Sequence, residues 1–328
     1  MPEYIIDGVQ YANWDREVFE QMRAGDVTCV HVTVCYWEQT LETMRNLGAW
    51  NRLFEQHADL IRAVRTADDV RAAKAEGRTG IVFGFQNCTP LDGNLDFIEL
   101  FHQMGVRFMQ LTYNNQSLLA SGCYEAKDTG LTRFGKQAVA EMNRVGMVID
   151  MSHSGERSTL EAIEHSTRPI TVSHANPTFF RDALRNKSNV VLKSLGETGG
   201  ILGFSLYPFH LKNHSDCTLP EFCQMVEQTA DLMGIDNIAI GTDLCQKQPL
   251  SILEWMRNGR WTKEVDYGEG SAADAKWPDP LTWFANNADF PNIVQGLRDH
   301  GFDEKDVAKI MGGNWLRFFE ESFEGQKT

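Results

Sequence analysis

The sequence predicts an α/β protein of the (β/α)8 TIM barrel type, and three observations carry that expectation. Eight short apolar runs recur along 328 residues. Most are continuous rather than alternating, as parallel strands covered on both faces are. Helix-like sequence follows each of them, which fits a barrel better than a doubly wound sheet.

The first run, Tyr4–Ile6, leads straight into Asp7. The second, Val27–Val34, reads VTCVHVTV, and the third, Gly80–Phe85, reads GIVFGF and ends on Gln86 and Asn87. Arg107–Thr112 supplies the fourth and meets Tyr113. Met147–Asp150 and Ile170–Ser173 are the fifth and sixth; His153 follows the one and His174 the other. The seventh is Gly200–Leu206 and the eighth Ile238–Gly241, with Asp243 just beyond. Between them lie amphipathic segments such as LDFIELFHQMG and FGKQAVAEMNRVG, the second closing on Gly146 as a helix C-cap does. Two regions break the rhythm: a Gly/Ser/Asn-rich loop after the fourth strand, and a long, polar, tryptophan-bearing loop after the eighth, roughly 246–287. Long βα-loops sit on the face where barrels hold their active sites. With no linker, repeat or low-complexity run, residues 1–328 read as one domain.

A hydrophobic fraction of 42% and a charged fraction of 23% allow a large ordinary core. The formal charge of −14 sets nucleic acid and anionic membranes aside as partners, since both would repel it. No apolar run approaches the roughly 18 residues of a spanning helix, and MPEYIIDGVQ has neither a basic start nor a long apolar stretch. The seven cysteines (29, 35, 88, 123, 217, 223 and 245) are scattered without a C-x-x-C, which reads as free thiols in a cytoplasmic protein.

If the barrel forms, the residues after its strands meet at one mouth: Asp7, Gln86, Asn87, Tyr113, His153, His174 and Asp243. Two imidazoles with an oxygen donor are borderline ligands for a zinc-like ion and can leave a position open for water. The other histidines, including His31 and His210, read as surface or packing residues.

The segments IDG (6–8), GVRFMQLTYN (105–114), GLTRFGKQAVAEMNRVGMVIDMSH (130–153), ITVSHANP (170–177), LRNKSN (184–189), IGTD (240–243) and GGNWLRFFEE near the end resemble the renal or membrane dipeptidases, peptidase family M19. The resemblance implies a metal-dependent amidohydrolase barrel, typically with two zinc ions, and a homodimer. It implies that His153 and His174 ligate the second ion. Asp243 looks like the aspartate that ligates the first ion and serves as base. Arg185, with Asn186 beside it, looks like the clamp on the substrate's carboxylate, a bidentate task suited to guanidinium.

The departures fall on the first ion. The family carries D-G-H-x-D after its first strand, and here Val9 and Tyr11 stand at the ligand positions. Gln86 stands where a bridging glutamate is expected, and Tyr113 where a histidine steadies the tetrahedral intermediate. Valine cannot bind a metal, and a neutral amide bridges two dications poorly. The expectation is therefore one divalent ion, zinc, held by His153, His174 and Gln86, with Asp243 as base and Tyr113 as hydroxyl donor to the oxyanion. The predicted function is a dipeptidase-like hydrolase acting on an amide bond of a small carboxylate-bearing substrate. The alternative is a family member that binds a small ligand without metal, and a lyase or isomerase on the same barrel is a third reading.

Overall fold

The computed structural model describes residues 1–260 and 276–324. Its strands are β1 (Ile6–Ala12), β2 (Cys29–Cys35), β3 (Ile61–Ala63), β4 (Thr79–Phe85), β5 (Val106–Gln110), β6 (Val148–Asp150), β7 (Thr171–Ala175), β8 (Ile201–Phe204), β9 (Ile238–Ile240) and β10 (Leu244–Gln246). The helices are α1 (Arg16–Ala24), α2 (Thr40–Gln56), α3 (Ala67–Ala75), α4 (Asp96–Gln103), α5 (Arg133–Val145), α6 (Glu156–His165), α7 (Asn189–Glu197), α8 (Leu219–Met233), α9 (Leu250–Asn258), α10 (Phe290–His300), α11 (Glu304–Ala308) and α12 (Asn314–Ser322).

All strand pairs are parallel, in the order β10-β1-β2-β4-β5-β6-β7-β8-β9, with β3 paired to β4 off this path. The ring closes because the eighth barrel strand is broken in two. Its first half, β9, pairs with β8; its second half, β10, pairs with β1. The chain turns between them at Gly241–Asp243, where the Asp243 amide donates to the Val9 carbonyl at 3.1 Å. The expected (β/α)8 barrel is thus present, its eight strands supplemented by the short β3 and β10.

Every residue of β2, β4, β5 and β7 is buried, as two-faced coverage requires. Helix α5 starts where Thr132 accepts the Gly135 amide and stops at Gly146, whose φ of +86° is left-handed. The ends of the strands away from the site are plugged by α12. Trp315 is fully buried there and donates its indole N–H to the Ile240 carbonyl at 2.8 Å; Phe318, Phe319 and Phe323 pack with Phe108, Val148 and Ile201.

One expectation changes. The first strand is Ile6–Ala12 rather than Tyr4–Ile6, so Asp7 lies inside it instead of after it. Its polar residues are satisfied internally: Asp7 accepts from the Thr242 amide and hydroxyl and from Gln10, and Gln10 also donates to Asn287. The long loop after the eighth strand follows β10 and carries α9; its residues 261–275 lie outside the described residues. The Gly/Ser/Asn-rich loop after β5 is tied back to β6 by the Gly122–Ser154 bridge and by the Cys123 amide on the His153 carbonyl at 2.8 Å. All seven cysteines are free.

Candidate active site

The site is built on Asp150 at the end of β6. This fully buried carboxylate accepts from the amide and hydroxyl of Ser152, at 3.0 and 2.6 Å, from the amide and hydroxyl of Ser173, and from Gln110 at 3.1 Å. Five bonds to one side chain lock the turns after β6 and β7 together and fix the two histidines they carry.

The hydrogen-bond network also fixes the tautomers. The Ser173 hydroxyl gives its proton to Asp150, so at its 2.8 Å contact with His174 it can only accept, and His174 Nδ1 must carry the proton. His153 Nδ1 lies 2.6 Å from Asn114 Oδ1, an acceptor, and must be protonated as well. Burial, with the nearby Arg185 guanidinium reinforcing it, holds both imidazoles well below the usual histidine range, so both are neutral. Each therefore presents a bare Nε2 lone pair, and the two Nε2 atoms are 3.1 Å apart. Gln86 sends its amide nitrogen to Thr33 at 2.8 Å and to Tyr36 at 3.3 Å, which leaves its Oε1 aimed at His153 Nε2 from 3.0 Å. His153 Nε2 thus faces two further acceptors, His174 Nε2 and Gln86 Oε1, without a proton between them. That arrangement repels itself unless a cation stands among them, and two imidazoles plus an amide oxygen fit one divalent ion.

On the β1 side the Val9 side chain offers no ligand atom, and Tyr11 packs edge-on against Tyr36 at 4.9 Å. Tyr36 in turn contacts Tyr113, which also meets Trp37 and stacks on His153 with ring centroids 4.0 Å apart. An aromatic cluster thus occupies the β1–β2 side of the mouth. Among the described residues no group of three His, Cys, Asp or Glu side chains is arranged to hold a metal.

Gln86, Tyr113, His153, Arg185 and Asp243 line one cavity of about 50 Å³, and His174 adjoins it through His153. Asp243 sits at the β9–β10 break with φ +56°. Burial pushes its carboxyl up to about 7, with Arg185 opposing and Asp7 adding to the rise. Arg185 is buried and donates to the carbonyls of Ser152 and His174. Asn186 stands apart: its side chain accepts the Asn176 amide and donates to the carbonyls of Arg181 and His210, which holds the loop beneath Arg185 rather than facing the cavity. Asn87 is turned to its own neighbour, the Cys88 amide, in a separate recess.

Sequence reasoning missed several lining residues. His210, expected as surface or packing, is buried, bonded to Ser205 at 2.9 Å and on the cavity wall. It follows β8 by six residues and has no apolar run to announce it. Tyr207, Cys245 and Arg257 also line the cavity. Asn114, next to Tyr113, was visible in the sequence but carried no sign of its hold on His153.

Paired imidazoles, a carboxylate and a buried guanidinium thus meet at the mouth of a closed parallel barrel. The profile of the membrane dipeptidases, peptidase family M19, matches residues 15–254, and the chain belongs to that family. Among solved structures, an amidohydrolase from Pseudomonas aeruginosa is 37% identical, with a TM-score of 0.92 over 98% of this chain and 96% of its own. A metallopeptidase from Rhodobacter sphaeroides, liganded with a phosphinate mimic of L-Ala-D-Ala, shares the fold with a TM-score of 0.81 at 16% identity, covering 98% of this chain and 100% of its own. Dipeptidase tcpJ of Claviceps purpurea is 25% identical over 283 residues, 85% of this chain. The chain spans 60% of the length of that curated relative.

Proposed function

We propose that this protein is a metal-dependent hydrolase that cleaves an amide bond in a small carboxylate-bearing substrate, using one divalent ion, zinc by preference. The observation that carries this reading is the convergence of three proton-free acceptors, His153 Nε2, His174 Nε2 and Gln86 Oε1. An ion held there would supply Lewis acidity for a carbonyl and lower the pKa of a water.

The chain's own residues supply the rest. Arg185, fixed by two carbonyls, presents its guanidinium to the substrate's carboxylate and sets the scissile bond toward the histidines. Asp243, poised near neutrality, takes the proton from the attacking water and returns it to the leaving amine. The Tyr113 hydroxyl, whose ring is held against His153, donates to the oxygen on which negative charge develops. Asn186 acts as a positioning residue for the Arg185 loop.

Metal analysis of tag-free protein, together with product analysis on a panel of dipeptides and N-acyl amino acids, tests the reading. One equivalent of ion and metal-dependent cleavage is the expected result, with turnover lost in Asp243→Asn while the ion is retained. The aromatic cluster at the β1 ligand positions favours a second reading, a binding protein without catalysis. Less than about a tenth of an equivalent of zinc, iron or manganese, none of it regained on incubation, would favour that one.

A further inference from the structure

The carboxylate beneath the two histidines does more than brace their turns. Asp150 is fully buried, and its hydrogen bonds come from two backbone amides, two hydroxyls and one side-chain amide, none of them a cation. Its two oxygens are not equivalent. Oδ1 takes the amides of Ser152 and Ser173 and the Ser152 hydroxyl; Oδ2 takes the Ser173 hydroxyl and the Gln110 amide nitrogen. A backbone N–H can only donate, so the Oδ1 position needs an acceptor whatever residue stands here. Oδ2 faces groups that can adapt, a hydroxyl that rotates and an amide that can turn over. Gln110 Oε1 has no partner among the described residues, so turning that amide exchanges one unpaired atom for another.

The Ser173 hydroxyl is the pivot. It lies between Asp150 Oδ2 and His174 Nδ1, the latter at 2.8 Å, and its single proton cannot serve both. A carboxylate takes that proton in the stronger, charge-assisted bond. His174 Nδ1 must then donate, which leaves the lone pair on Nε2. His153 is wired differently. Its Nδ1 meets Asn114 Oδ1 at 2.6 Å, and none of the Asp150 bonds reaches that amide.

We infer that Asp150 is the positioning residue that sets the tautomer of His174, acting through the Ser173 hydroxyl, and so keeps His174 Nε2 bare. Its consequence for binding rests on the proposed role of His174 as an ion ligand. Metal-binding histidines commonly give their second N–H to a carboxylate directly, and here a serine is interposed. In Asp150→Asn the amide oxygen must still face the two backbone N–H groups, which turns the new NH2 toward Ser173. Ser173 then accepts, its proton swings to His174 Nδ1, and the ring proton moves to Nε2. The lone pair that faced the ion is gone, although no atom of the site has been removed.

Nitrogen NMR of isotopically labelled, ion-free, full-length protein reads the tautomers directly, with His174 identified by the signals lost in His174→Gln. The wild type is expected to show the Nδ1–H form at both His153 and His174. In Asp150→Asn, His174 should change to the Nε2–H form while His153 keeps its own, and the zinc Kd should rise at least about tenfold. Loss of a mere brace would disturb both histidines, so equal changes at the two would overturn the inference. Ser173→Ala, which removes the pivot, should lower the Nδ1–H share of His174 even if Asp150→Asn does not fold. An unchanged His174 in either variant would overturn the relay. So would an Nε2–H form of His174 in the wild type, a result that needs no variant. Because the tautomers are read without ion or substrate, the hydrolase reading fails separately: the expected tautomers with neither zinc uptake nor cleavage would sink that reading alone.

Discussion

At the scale of single residues, the site is governed by where protons sit. Because both histidine Nδ1 atoms are bound to acceptors, the site lacks negative charge where an ion would lie, and Gln86 contributes only an amide dipole. Gln86→Glu should therefore tighten zinc by at least about tenfold, as a carboxylate is the harder and charged ligand. Competition with a chelator measures it, and unchanged affinity would place Gln86 outside the coordination sphere. Lys187 gives a second prediction. It is buried, and its Nζ donates to the Ser154 carbonyl at 2.7 Å; burial, with Arg185 nearby, lowers its pKa to about 8 from 10.5. The folded protein thus releases this proton near pH 8 and the unfolded chain only near 10.5, so the lysine's penalty is full below pH 8 and fades as pH rises toward 10.5. The penalty is of order 3 kcal/mol, partly offset by the lost hydrogen bond on substitution. Lys187→Met should then stabilise the protein by about 1–2 kcal/mol at pH 7 and by nothing at pH 10. Denaturant titrations at the two pH values decide it, and a gain that grew with pH would contradict the burial argument.

At the scale of elements, the decisive feature is the break between β9 and β10. It closes the ring and sets Asp243 in the left-handed region, which Asp and Asn tolerate better than other residues with a Cβ. Asp243→Ala should accordingly be less stable than Asp243→Asn by about 1 kcal/mol, although both remove the carboxylate. Equal urea midpoints would show that the backbone there carries no strain. The same break marks the limit of what the sequence disclosed. Strands such as GIVFGF were legible because burial on both faces leaves a continuous apolar run, and a histidine ending such a run is conspicuous. Strand β1 was read short because Asp7 and Gln10 turn inward to partners 235 and 277 residues away, which no local pattern records. Strands β3 and β10, of three residues each, are too short to show a period. Helix α9 and its Arg257 were hidden in polar, tryptophan-bearing sequence, and His210 in a turn. The floor of the site could be read from strand ends; its far wall, built by loops, could not.

At the scale of the molecule, the three acceptors come from different strands: Gln86 after β4, His153 after β6 and His174 at the end of β7. An ion bound among them ties together parts of the barrel that are 67 and 21 residues apart in the chain. Only the closed barrel brings Gln86 Oε1 and His174 Nε2 to 3.0 and 3.1 Å from His153 Nε2, so the unfolded chain has no equivalent site and ion binding must add to folding stability. At a free zinc concentration a hundredfold above Kd the gain is about 2.7 kcal/mol, less whatever the unfolded histidines and cysteines bind. For a chain of this size that corresponds to a rise of roughly 4 °C in Tm. The rise should disappear in His153→Ala and in His174→Ala, and it should be larger in Gln86→Glu. It should persist in Arg185→Gln, which leaves the acceptors in place. Because the readout is thermal unfolding, it holds whether or not the enzyme turns over. An equal rise in the wild type and in both histidine variants would mean that zinc binds elsewhere, and the barrel mouth would lose its claim to the ion.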